Sequence, residues 1–203
     1  MLKESEMKKN ASYVLAVLAL LLTGCGSFVE PLLKGEAVPE GKVLMIGKVI
    51  VSPHFGKVDK DEKDYIMMSM NDDLNRSVNS IDDAIDPDIG KVFYFPVSPG
   101  AKYFRVGQIM VPNGRYTVAK GGAKPNYDVL RMLRNIKVTI PAKARAVYIG
   151  TITYKHNGEK AIEVTVRDEQ EEAMQTLAKM RFRSVAAKDV VKKLAVVLSE
   201  QKD

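Results

Sequence analysis

Residues 145–167 read RAVYIGTITYKHNGEKAIEVTVR, two apolar-rich runs joined at Asn157-Gly158. Both residues tolerate positive φ, and this dipeptide between strand-like runs is the strongest short-range sign of a β-hairpin. In the second run, Ile162, Val164 and Val166 alternate with Ala161, Glu163, Thr165 and Arg167, predicting a strand with the first set inward. Asn135 to Ile140 repeats the pattern, with Ile136, Val138 and Ile140 inward and Asn135, Lys137 and Thr139 outward. Val43 to Val51 is apolar on both faces, as expected of a strand in the middle of a covered sheet.

The same grammar extends outward. Lys91 to Val97, Tyr103 to Val111 and Arg115 to Ala119 read as strands separated by turns at Ser98-Pro99-Gly100 and Pro112-Asn113-Gly114, and Asp64 to Met70 as a further strand. Alternation sends Phe93 and Phe95 to one face and Tyr94 to the other; Met68 and Met70 share a face opposite Met67, as core residues do. Seven or eight short strands at this spacing predict a mainly β fold, an antiparallel β-sandwich. The strand period ends at Asp168. Asp168 and Glu171 have capping-box spacing, an acidic first turn follows, and Ala173, Leu177 and Met180 form a stripe. Ala187, Val190, Val191, Leu194, Val197 and Leu198 form a second stripe opposite Lys188, Lys192 and Lys193. Two C-terminal helices packed on the sandwich are therefore expected.

The chain of 203 residues is 46% hydrophobic, enough for a packed core, and carries one Cys, two His and no Trp. A disulfide scaffold, a Cys-clustered zinc site and a CxxC redox pair each need at least two cysteines and are excluded. The lone Cys25 follows Ala11 to Leu22 (ASYVLAVLALLL), an uncharged run preceded by Lys8 and Lys9 and ended by small residues. This is the pattern of a secretory signal peptide. A membrane span needs about 20 apolar residues, and this run is shorter.

Leu22-Thr23-Gly24-Cys25 resembles the lipobox of bacterial lipoproteins. The resemblance implies that the Cys25 thiol receives a diacylglycerol, that cleavage occurs before Cys25, and that the new amine is acylated. Each buried CH₂ contributes about 0.8 kcal/mol, so two or three chains anchor stably where one does not. Met7-Lys8-Lys9-Asn10 is a more typical start than Met1, because Glu4 and Glu6 dilute the positive end. By the same resemblance, Gly26 after the Cys, in place of the Asp that signals inner-membrane retention in enterobacterial lipoproteins, favours the outer membrane; the periplasmic side is expected rather than the cell surface. The chain then divides into a signal peptide (1–24), a lipidated tether (25–41), a β-sandwich (42–167) and a C-terminal helical segment (168–203). Loss of Lys3, Lys8, Lys9, Glu4 and Glu6 leaves 28 basic and 23 acidic residues, net +5. In an envelope setting the expected anionic partners of such a chain are phospholipid head groups, lipopolysaccharide or acidic cell-wall polymers, not nucleic acid.

The run Val111-Pro112-Asn113-Gly114-Arg115-Tyr116-Thr117-Val118 resembles the hairpin of prealbumin-like and immunoglobulin-like modules, such as the regulatory-like domains attached to carboxypeptidases. The resemblance implies a sandwich fold and a non-catalytic binding or spacer role.

Candidate chemistry is sparse. A Ser/His/acid triad needs a His; His54 and His156 sit in loop and turn contexts and read as surface histidines, and there is no GxSxG elbow. The nearest approach to a phosphate loop, Gly35 to Gly41-Lys42-Val43, fails on spacing and lacks the hydroxyl. Residues 71–90 are net −5 and offer Asp82, Asp83, Asp86 and Asp88 as calcium ligands. The start at Asp86 resembles an EF-hand loop, but its twelfth position is Val97, so a solvated acidic loop is the plainer reading. Between Leu130 and Gly158 there is no acid, and Arg131, Arg134, Lys137, Lys143 and Arg145 form a candidate patch for anionic polymers or, more simply, protect sheet edges. No cofactor is expected. The leading expectation is a non-catalytic, lipid-anchored binding, assembly or structural module with an envelope protein or polymer as partner. The alternatives are an envelope hydrolase using Asp72, Asp73 or Asp86, and a surface adhesin.

Overall fold

The computed structural model describes residues 27–53, 66, 68–74, 83–104, 109–119, 122–130, 136–158 and 160–198; in 27, 109–119 and 122–130 only the backbone is described. The fold is mainly β. In chain order the strands are β1 (Ser27–Phe28), β2 (Val43–Ser52), β3 (Met68–Asn71), β4 (Asp83–Ile85), β5 (Val92–Val97), β6 (Gly100–Phe104), β7 (Ile109–Ala119), β8 (Gly122–Leu130), β9 (Ile136–Ile140), β10 (Ala146–His156) and β11 (Ala161–Arg167). Helix α1 (Gln170–Met180), a 3-10 turn (Ala187–Asp189), β12 (Val190–Lys192) and β13 (Val196–Val197) complete the described chain. These strands are more numerous than the seven or eight expected.

One sheet has the order β1-β4-β3-β6-β9-β13, and the other β11-β10-β2-β5 with β12 also on β10; β7 and β8 form a separate ribbon. A purely antiparallel arrangement is corrected: β2 runs parallel to β10, β12 parallel to β10, and β1 parallel to β4. Parallel neighbours need a long crossover. The chain between β2 and β10 supplies it by building most of the first sheet.

The two sheets share one apolar core. Val43, Met45, Val49 and Val51 of β2, Phe93 and Phe95 of β5, and Val147, Ile149, Ile152 and Tyr154 of β10 meet Met68, Met70, Phe104, Ile136, Val138 and Ile140 of the first sheet. Phe93 and Phe95 pack with ring centroids 5.6 Å apart. The other face of the second sheet is also covered. Leu44, Ile46, Tyr94 and Tyr148 pack there under Ala173 and Leu177 of α1, with Phe182, Val185 and Leu32. β2 and β10, flanked by strands and covered on both faces, are accordingly almost continuously apolar. Each fully buried Leu, Ile, Val, Phe or Met side chain contributes roughly 1.5–3 kcal/mol.

A hairpin forms at Asn157-Gly158, with β10 and β11 antiparallel, but its connection is longer than two residues: His156 pairs with Ala161, the Asn157 N–H donates to Lys160 O at 3.2 Å, and of the two turn residues Gly158 alone takes positive φ, 97°. A register shift at Lys155/His156 changes the phase of β11. Ala161 and Val164 are buried and Ile162 is 52% exposed, which corrects the expectation that Ile162 faces inward. Pro112-Asn113-Gly114 is likewise not a turn between two strands. β7 runs through it, and the pairing with β8 shifts register between Pro112 and Tyr116, a bulge that accommodates a proline without an N–H.

The second predicted helix is also corrected. Residues 187–198 form one 3-10 turn and two short strands. Val190, Val191, Val196 and Val197 are β-branched and suit extended backbone, and two open sheet edges receive them. Val190–Lys192 pairs with Ala146–Tyr148 of β10, and Val196 and Val197 pair with Lys137 and Ile136 of β9. Between them, the Lys193 and Ala195 N–H groups donate to Tyr148 O and Ile149 O at 2.9 and 2.8 Å. The tail thus crosses from one sheet to the other and leaves Ala195 in the core.

Two glycines permit the close approach. At Gly47 a Cβ would stand 2.7 Å from Phe93 Cζ and 2.9 Å from Ile149 Cγ1; Gly150, at φ 97°, faces Val166, Arg167 and Leu194 as closely. No described helix is long and apolar enough to cross a membrane.

Candidate functional site

Cys25 lies outside the described residues, and the structure begins two positions beyond it, at Ser27. Residues 27–41, expected to be a tether, are laid onto the body. Ser27 and Phe28 pair with Asp83 and Ala84 of β4, and the Val29 N–H donates to Ala84 O at 2.8 Å. The arm then crosses to the other sheet, where the Leu32 N–H donates to Tyr94 O of β5 at 2.7 Å. Further on, the Gly35 N–H donates to Met180 O at the helix C-terminus at 3.0 Å, the Arg183 N–H to Glu36 O at 3.0 Å, and the Val38 N–H to Ser184 Oγ at 2.9 Å. Leu32 is buried, and Val29 and Val38 are half-buried. The N-terminal arm and the C-terminal tail therefore each bridge both sheets.

Between the arm, the β4–β5 connection and α1 lies a groove of about 590 Å³. Leu32, Phe95 and Met180 contribute apolar lining, while Asp86, Lys91 and Glu172 contribute charge. Tyr94 also lines it, packs edge-on against Phe182 with centroids 5.2 Å apart, and has a buried hydroxyl without a hydrogen-bond partner among the described residues. Burial pushes the Tyr94 phenol well above its ordinary pKa. On the neighbouring surface Lys48 Nζ bonds both oxygens of Glu172, at 2.9 and 3.0 Å, which ties β2 to the helix.

The start of α1 is held by β10. Glu169 is the N-cap; its N–H donates to Tyr148 Oη at 2.8 Å, and its carboxylate accepts Thr151 Oγ1 at 2.8 Å. The expected Asp168/Glu171 capping box is thus replaced. Asp168 instead accepts the Gln170 N–H at 3.2 Å and Lys192 Nζ at 2.8 Å. The Lys192 ammonium, foremost, holds the Asp168 carboxyl below its usual range, helped by the Gln170 N–H.

The acidic segment is only partly described, and Asp82 lies outside it. Asp83 sits on β4 beside the arm, Asp86 is exposed at the groove, and Asp88 pairs with Lys91 at 3.0 Å. Among the described residues no three His, Cys, Asp or Glu side chains are grouped as metal ligands. Asp72 pairs with Lys102, whose side chain is 2% exposed on β6, and Asp73 is exposed close by. Of the basic set, Arg131 and Arg134 lie outside the described residues. Lys137 stands over the Tyr103 ring at 6.0 Å, Lys143 is exposed in the β9–β10 turn, and Arg145 lies beside Lys42. His54 and Met67 are also outside. His156, expected at the surface, is buried: Nδ1 accepts the Gly158 N–H at 3.0 Å, leaving Nε2 to donate to Pro53 O at 2.7 Å. It clamps the hairpin to the end of β2.

Sequence reasoning missed the arm and its contacts with the end of α1. The signal available was Phe28-Val29 and Leu32-Leu33, apolar pairs inside a stretch without periodicity. Comparison of the chain with known protein families, with curated proteins and with solved structures yields no match.

Proposed function

We propose that the chain is a lipid-anchored protein of the bacterial cell envelope, attached through Cys25 to the outer membrane on its periplasmic side, and that its body is a non-catalytic binding or assembly module. The observation that carries this reading is the run Leu22-Thr23-Gly24-Cys25 behind an uncharged apolar segment and two lysines. A residue so placed is read as an acylation point, and two or three acyl chains give stable anchoring without a membrane-spanning helix. The body's finer form in this reading is a β-sandwich, supported by the core that both sheets share. Its concave surface is the groove beneath the arm, where apolar lining and a charged rim fit contact with another envelope component.

Replacement of Cys25 by Ala tests the anchor. The reading predicts that the wild-type protein sediments with membranes while the variant is released into the soluble fraction or retained as unprocessed precursor. A variant that is processed and still membrane-bound overturns it.

A further inference from the structure

The lipid anchor leaves open how the body sits on the membrane, and the arm answers this. Two residues, Gly26 and Ser27, separate Cys25 from Phe28; the three steps between their Cα atoms span at most about 3.6 Å each, so the two lie within about 11 Å of one another. Phe28 cannot swing away, because β1 pairs with β4 and the next N–H is bonded to Ala84 O. An acylated Cys25 sits at head-group level, and interfacial side chains bury about 5–10 Å into that boundary. Phe28 is 60% exposed although it is the large aromatic nearest the anchor.

A second feature of the arm has the same chemistry. Leu33 is 63% exposed while its neighbour Leu32 is buried. It is held there by a turn in which its N–H donates to Glu36 Oε2 at 2.7 Å and the Glu36 N–H returns to Leu33 O at 3.1 Å. Beside it, Lys34, Lys179 and Arg181 surround one shallow depression with Gln175 and Ala178. All three cations are exposed and none has an acidic partner among the described residues. Exposed apolar side chains bordered by unpaired cations match a bilayer surface, whose phosphates attract Lys and Arg within a Debye length.

We propose that the arm lies against the bilayer that holds Cys25, with the exposed Phe28 and Leu33 side chains in the interface and Lys34, Lys179 and Arg181, which surround the depression beside Leu33, on lipid phosphates. This rests on the lipoprotein reading above. The body is then fixed in orientation, with the opposite edge of the second sheet, β11, directed away from the membrane.

The test uses the full-length gene, so that Cys25 is acylated and unavailable to thiol reagents. Phe28→Cys, Leu33→Cys and Ile162→Cys are each purified from membranes, labelled with a nitroxide, and reconstituted in phosphatidylethanolamine–phosphatidylglycerol vesicles. Ile162 is exposed on β11 and serves as the distant control. The expected result is that labels at 28 and 33 lose collisions with a water-soluble nickel chelate and gain collisions with oxygen, while the label at 162 does not. Changing Lys34, Lys179 and Arg181 together to Gln is expected to weaken that protection at 33. Labels at 28 and 33 as water-accessible as the one at 162, in protein whose mass shows acylated Cys25, overturn the orientation and leave the anchor standing. Loss of collisions with both reagents marks burial in a protein partner and also overturns it. Protein recovered unacylated and off the membrane removes the anchor, and the orientation with it.

Discussion

Tyr148 and Tyr154 stand on one strand, both essentially fully buried, yet their hydroxyls meet opposite circumstances. Tyr148 Oη accepts the Glu169 N–H at the start of α1, whereas Tyr154 Oη has no hydrogen-bond partner among the described residues. Replacement by Phe deletes the same oxygen at each site. At 154 it removes a buried unpaired hydroxyl, whose desolvation costs about 1–3 kcal/mol. Against this stands the dispersion attraction of a single oxygen atom for its neighbours, about a few tenths of a kcal/mol. Tyr154→Phe is therefore expected to stabilise the fold by about 1 kcal/mol. At 148 the change strands the Glu169 N–H and loosens the helix start, for a loss of about 1–2 kcal/mol. In a domain of this size 1 kcal/mol moves Tm by about 2–4 °C. Thermal unfolding of the mature chain carrying Cys25→Ser, followed by circular dichroism, should place Tyr154→Phe above the parent and Tyr148→Phe below it. If Tyr154→Phe loses as much stability as Tyr148→Phe, the Tyr154 hydroxyl is satisfied and the reasoning fails.

Four further outcomes are expected. Gly47→Ala places a methyl 2.7 Å from Phe93 and 2.9 Å from Ile149, and overpacking of this kind should destabilise by about 1–3 kcal/mol, read from denaturant midpoints. Burial raises the Tyr94, Tyr148 and Tyr154 pKa values, so their stabilising contribution is complete below about pH 10 and declines as pH rises further. Absorbance titration at about 295 nm should show these phenols ionising only with unfolding; independent ionisation in the folded state contradicts their burial. Asp168 has the opposite sign: its lowered pKa adds stability above its unfolded value of 3.8, lost as pH falls through the folded one. Asp168→Asn should therefore flatten the acid limb of the stability profile while leaving the alkaline limb unchanged. Truncation after Asp189 removes β12, β13 and buried Ala195, opens edges of both sheets, and should leave a chain without a cooperative melting transition.

Where local sequence and final environment coincide, the fold was legible. β2, β9, β10 and the Asn157-Gly158 hairpin qualify: faces buried on both sides need continuous apolar runs, and a tight turn needs residues that accept positive φ. The C-terminal tail was misread because Val190, Val191, Leu194 and Val197 fit helical spacing equally well. The vacant edges of β10 and β9 decide between the two, and those edges are assembled from distant parts of the chain. Ile162 turned outward because a register shift at Lys155/His156 reversed the phase, a displacement with no local marker. The arm shows no periodicity because it bonds to two sheets in succession, a residue or two at a time. The proposed role of Cys25 rests on the contiguous motif Leu22-Thr23-Gly24-Cys25 alone. The basic depression beside Leu33 was not legible, since Lys34 and Lys179 meet only when the arm docks on the end of α1.

The most direct measurement of the proposed anchor is the intact mass of the mature protein extracted from membranes, with its N-terminal peptide sequenced by fragmentation. The predicted result is a chain that begins at Cys25 and carries a diacylglycerol on sulfur and a further acyl group on the new amine. A chain that retains residues 1–24, or one whose Cys25 is a free thiol on a membrane-released protein, contradicts it.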